Sequence, residues 1–182
     1  MWLGGHDFLS DRYLSVVVGK IQSCPSVSMV IGKPMVVDEK SNVHGVAEQA
    51  VYYFIDKAKE SRYLKSVMEL GNCTILNSIF RRSDLSSYFF EKVKSFDHVL
   101  ISHLLWYGCN LTVDEVSYFR RYFSVRSESY DTRLIGENVE LEREEFYQYY
   151  LKDFEGLMKE EDEEKKVKML EMAENILRNR FG

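Results

Sequence analysis

Apolar residues recur at helical spacing along most of the chain after residue 42, and that periodicity predicts one helix after another. Val43, Val46, Ala47, Ala50, Val51, Phe54, Ile55 and Ala58 form a single stripe, with Gln49, Asp56 and Lys57 off it. SRYLKSVMEL continues or restarts that helix and stops at Gly71, a residue suited to the left-handed position past a helix end. SDLSSYFFEKVKSF opens on Ser83 or Asp84 as a cap. DHVLISHLLWYG then sets Val99, Leu100, Ile101, Leu104, Leu105 and Trp106 around nearly its whole circumference, which marks a central helix.

TVDEVSYFRRYF, Thr112 to Phe123, reads as the best-specified helix of all. Thr112 and Glu115 make the Thr-x-x-Glu capping box, and Leu111 and Val116 occupy the hydrophobic-staple positions. Asp114 and Glu115 suit the positive helix start, Arg120 and Arg121 the negative end. Val113, Val116, Phe119 and Phe123 fall on one arc at about 100° per residue.

Two regions carry a strand signal. VSMVI and MVVD are short β-branched runs separated by Gly32-Lys33 and Pro34, which predicts a hairpin with Pro34 at an edge or trimming the second strand. A second hairpin is expected around Gly136-Glu137-Asn138. Residues 11–22 fit either class: Leu14, Val17, Val18 and Ile21 hold helical spacing, whereas three consecutive valines suit a strand, and the helix is preferred.

The C-terminal segment returns to helix, Phe146, Tyr150, Phe154 and Leu157 marking one face and Val167, Leu170, Ala173, Leu177 and Phe181 another. Between them the charge run supplies Glu161–Lys165, Asp162–Lys166 and Glu164–Lys168 pairs at i, i+4. Residues 142–181 are thus either a hairpin turning near Glu160 or one long helix. The predicted fold is mainly α-helical, a multi-helix bundle with one or two short hairpins. Residues 1–139 form its core, and an acidic helical segment, 140–182, packs on it or extends from it.

Charge changes the functional picture more than the fold. Residues 1–139 hold 16 basic and 16 acidic side chains and residues 140–182 hold 8 and 13, so the tail supplies the whole net charge of -5. A neutral body with an acidic tail offers phosphate no broad footprint, which disfavours nucleic acid. The remaining candidates for such contact are Tyr118, Arg121 and Tyr122, the outward residues of the Thr112–Phe123 helix. The longest apolar run, Val99 to Val113, is too short to span a bilayer. The start of the chain shows no secretory pattern, and three cysteines without CxxC spacing suit reduced thiols. The expected setting is intracellular, cytoplasmic or nuclear, away from membranes.

Chemistry is sparse. His98 and His103 lie about 140° apart on their helix and cannot reach one ion from one face. Asp97 is explained as a cap, so no metal site is expected. Cys73 or Cys109 can be paired on paper with His98 or His103, yet no motif orients them and both thiols read as small core residues. No glycine-rich phosphate loop is present, so no cofactor is expected. The last helix is more informative: Met169, Met172 and Ile176 widen its apolar arc to roughly 220°, about twice what a surface helix needs. It is either wedged between two layers of its own domain or meets another chain through this strip, to which Tyr149 could add. The function expected is a non-catalytic protein-interaction module, adaptor or assembly subunit, with a protein partner or a second copy. An RNA- or DNA-associated factor and an enzyme whose site assembles only in three dimensions are the rivals.

Overall fold

A computed structural model describes residues 1–90, 95–123 and 139–181. It corrects the predicted helical bundle: the chain is a mixed α/β fold, 50% helical and 20% strand, built on a five-stranded sheet. The elements in chain order are β1 (Phe8–Leu9), α1 (Tyr13–Ser23), β2 (Val27–Val37), β3 (Val43–Val46), α2 (Lys59–Glu69), β4 (Ile79–Phe80), α3 (Phe96–Tyr107), β5 (Cys109–Arg121), α4 (Val139–Leu157) and α5 (Glu163–Phe181). Three short 3-10 turns lie at Glu48–Ala50, Thr74–Asn77 and Arg82–Leu85. The sheet order is β1-β5-β2-β3, with β4 also pairing β2. The central pair, β2 and β5, is parallel, which requires a long crossover, and that crossover contains α2 and α3.

The first correction concerns β2, which is one continuous strand where the Gly-Lys-Pro interruption predicts a hairpin. Gly32 is needed for a close approach: a Cβ there would sit 2.5 Å from the Tyr13 ring and 2.7 Å from the Val116 carbonyl oxygen. Its N–H donates to the Tyr13 hydroxyl at 3.0 Å. The register against β5 shifts between Gly32 and Lys33, where the ladder must pass Pro34.

The same shift explains the second correction. Residues 112–123, predicted as a helix, belong to β5 as far as Arg121. Gly32 pairs with Val113 but Lys33 pairs with Ser117, so Asp114, Glu115 and Val116 bulge out of the ladder. The bulge turns both Val113 and Val116 inward at a spacing of three, and the strand thereby imitates a helical stripe. Asp114 and Glu115 do not cap anything; they meet Lys33 at 3.4 Å and Lys20 at 3.7 Å.

Residues 43–58 are the third correction. They form β3, a 3-10 turn and a stretch without regular secondary structure from Val51 to Asp56. Gly45 has φ 130, outside helical space. Farther along, the Asn110 side chain acts as a surrogate strand, accepting from the Phe54 N–H at 2.7 Å and donating to the Tyr52 carbonyl at 2.7 Å. Phe54 is buried by this arrangement, while Tyr53 and Ile55 face outward. Of the helix predicted over 83–96, the chain shows a 3-10 turn and irregular backbone up to Phe90; residues 91–94 lie outside the described residues. The second hairpin falls mostly outside them too, and Val139 to Glu142 already belong to α4.

The helices α1, α2 and α3 form where periodicity predicts them, and the C-terminal segment is two helices. Helix α1 covers one face of the sheet, where Tyr13, Val17 and Ile21 pack with Val30, Ile31, Val113, Val116 and Tyr118. On the other face a larger core joins Met29 to α2, α3, α4 and α5. Helix α3 is buried on all sides as its composition requires. Helix α5 packs on both α2 and α4, which buries Ala173 and Leu177 but leaves Val167 and Met172 of its wide apolar arc exposed. Asp162 caps α5 by accepting from the Lys165 N–H at 2.9 Å.

Three helix ends are closed by arginines distant in sequence. Arg62 donates to the carbonyls of Leu105 at 2.7 Å and Trp106 at 2.9 Å at the end of α3. Arg180 reaches Val67 and Leu70 at the end of α2, and Arg81 reaches Ile21 and Cys24 at the end of α1. A guanidinium satisfies the orphan carbonyls and meets the negative end of the helix dipole.

Candidate functional site

The densest polar arrangement lies inside the large core. His103, on α3 and fully buried, faces Asp153 on α4 with Nδ1 to Oδ1 at 2.7 Å. Its Nε2 lies 3.1 Å from the Asp84 carbonyl oxygen and 3.5 Å from Ser87 Oγ. The other Asp153 oxygen accepts from the Tyr63 hydroxyl at 3.0 Å, and the Tyr150 and Ser102 hydroxyls lie 3.1 Å apart, with Ser66 donating to Ser102 at 2.7 Å. Burial, then the nearby Asp153 carboxylate, pushes the Tyr63 phenol well above its ordinary range.

Ser87, His103 and Asp153 have the residue types of a hydrolytic triad, but the Ser87 Oγ to Nε2 contact is long, 3.5 Å, and competes with the Asp84 carbonyl oxygen at 3.1 Å. A general base needs a free nitrogen toward the nucleophile. Here Nε2 is engaged by a backbone carbonyl, and the short bond of Ser87, 2.6 Å, goes to the Tyr107 hydroxyl. Contacts at its two nitrogens link α3 to Asp153 on α4 and to the Arg82–Leu85 turn.

A second cluster lies where the Thr74–Asn77 turn meets the start of α3. Cys73, Asp97 and His98 offer a thiol, a carboxylate and an imidazole within 4.8 Å of one another, a ligand set that could hold a metal ion. Burial, followed by Asp97, pushes the Cys73 thiol well above its usual value, and burial lowers that of His98. The three cysteines are free thiols.

The residues singled out for nucleic-acid contact are dispersed by the strand. Tyr118 is fully buried, its hydroxyl on the Asp7 carboxylate. Arg121 is spent on the carbonyls of His6, Asp38 and Glu39 and on the Ser41 hydroxyl, all at 2.9–3.0 Å. Tyr122 is 36% exposed, with the Arg120 guanidinium 5.3 Å from its ring centre. Of the partner-binding candidates, Met169 and Ile176 are half-buried against the large core, and Met172 is 42% exposed. Tyr149 is buried, donating its hydroxyl to the Phe89 carbonyl at 2.6 Å.

What periodicity passed over is the seam between α4 and α5. An open groove of about 330 Å3 runs there, with Leu151, Val167 and Leu170 as its apolar part and Glu155, Glu171 and Glu174 on its rim. Val167 is 47% exposed. Lys152 lies on the same rim, its ammonium 5.0 Å from the ring centre of the exposed Phe89. Val167 and Leu170 stand in the stripe that spacing gives α5, but only the packing of the pair shows that they line an open groove with Leu151.

Among the described residues no helix is long and apolar enough to cross a membrane. No protein-family model, no curated protein and no solved structure matches the chain.

Proposed function

We propose that the chain is a protein-interaction module, an adaptor or assembly subunit, which receives an apolar segment of a partner protein bearing at least one basic side chain. The observation that carries this reading is the α4–α5 groove, apolar along Leu151, Val167 and Leu170 and acidic at its rim. Two rim carboxylates are already engaged, Glu155 with Lys166 at 3.2 Å and Glu174 with Arg178 at 2.7 Å. The partner's cation is therefore directed to Glu171, with its apolar side chains against Val167. An uncovered apolar seam between two helices suits a helical or extended peptide, and the exposed Phe89 continues the surface past Lys152.

A photo-crosslinking residue in place of Val167, introduced in the native cell, tests it. The expected adduct joins position 167 to an apolar, basic peptide of another protein, and Glu171→Lys abolishes it. An adduct between two copies of the chain would replace the partner with self-association. Crosslinking no stronger than that from the exposed position of Glu160 would overturn the reading.

A further inference from the structure

The cluster at the start of α3 has a ligand set that the interaction reading does not use. Cys73 leads into the Thr74–Asn77 turn, and Asp97 and His98 stand in the first turn of α3, which packs on it. All three are half-buried and their ligand atoms lie within 4.8 Å of one another. The edges of a tetrahedral zinc site are about 3.5 Å, following from bonds of roughly 2.0–2.3 Å.

Two further observations point to a ligand. His98 Nδ1 is buried and has no hydrogen-bond partner, a costly state for a polar atom. The ring is held edge-on between Phe146 and Phe181 at 6.4 Å from each, so it is oriented without any hydrogen bond to fix it. The start of α3 also favours the anionic ligands.

We propose that Cys73, Asp97 and His98 bind one zinc ion, with the fourth position open to water. A sulfur, a nitrogen and an oxygen donor together select a borderline-soft ion over magnesium or calcium. One thiolate and one carboxylate balance the two positive charges. On binding, the Cys73 S–H bond breaks, the sulfur's electron pair goes to the metal and the proton leaves to solvent.

The test is titration of the reduced, chelator-treated full chain with zinc against a chromophoric chelator, and separately with cobalt. One equivalent of zinc is expected, with a thiolate-to-cobalt charge-transfer band, and both are lost in Cys73→Ser and His98→Gln. Because either variant could misfold, alkylation of the unaltered protein gives a second measurement: zinc should protect Cys73 while leaving Cys24 and Cys109 at their metal-free rates. Absence of stoichiometric zinc, a cobalt spectrum without the thiolate band, or unchanged alkylation of Cys73 would each overturn the site.

Discussion

The two faces of the sheet are held by different means. Under α1 the core is small and mostly apolar, and its polar ties include the Tyr13 hydroxyl, which accepts from the Gly32 N–H, and the Tyr118 hydroxyl on the Asp7 carboxylate. Its specificity is steric, since α1 can approach β2 only because residue 32 lacks a side chain. Opposite, the larger core encloses His103, Asp153, Ser66 and Ser102 with the hydroxyls of Tyr63 and Tyr150. Such a network stabilises only while every member is satisfied. One layer is therefore sensitive to added volume and the other to a lost partner.

The largest effect should come from the polar side. Asp153→Ala leaves His103 Nδ1 and the Tyr63 hydroxyl without their acceptor, and about 3–5 kcal/mol of stability should be lost in urea denaturation. A loss under about 1 kcal/mol would mean that water replaces the carboxylate and that the contrast between the faces is false. Gly32→Ala tests the steric side. Its methyl group meets the Tyr13 ring and backbone at Val116, and a destabilisation of about 2–3 kcal/mol is expected. A neutral result would show that α1 is free to shift.

Tyr13→Phe should be the mildest, about 1 kcal/mol near neutral pH for one hydrogen bond. Its pH dependence sharpens the comparison. Burial raises the Tyr13 phenol from 10.0 to about 12, with the Gly32 N–H opposing. The neutral phenol is thus favoured by the fold; that contribution is complete below pH 10 and drains away as pH rises from 10 through about 12. The stability gap between the wild-type protein and Tyr13→Phe should narrow across that window, and a gap constant through it would refute the burial of the phenol. Burial also raises Tyr63, Tyr118 and Tyr150, so both proteins weaken in alkali and only the difference reports on Tyr13.

Legibility in the sequence follows how local each determinant is. Helices α1, α2, α3 and the C-terminal pair bury faces set by residues three and four apart, so their helical character is legible, although the sequence only prefers helix for α1 and leaves residues 142–181 open between one helix and two. The parallel strands were misread because their determinants lie elsewhere. Val113 and Val116 share a side only through a bulge imposed by pairing with β2. The stretch from Val51 to Asp56 is held out of a helix by the Asn110 side chain at Tyr52 and Phe54. The arginine caps join residues 43 to 113 positions apart, with no local mark. For the groove, the apolar positions of α4 and α5 were visible, but which side faced outward depended on where α2 packed. Cys73 reads from the sequence as a small core residue and His98 as no ligand, and only the turn before β4 brings the two together.

The β2–β5 ladder also bears on how the molecule reaches this state. Ser28 bonds Gly108 across 80 residues, and closing a loop of that size costs chain entropy before any pairing energy is returned. The helical hairpin α4–α5 needs no such closure. Formation of the parallel pair is therefore the expected slow event in folding, with β2 exposing unpaired, strongly apolar edges until β5 arrives, and that interval is when the chain is most open to aggregation.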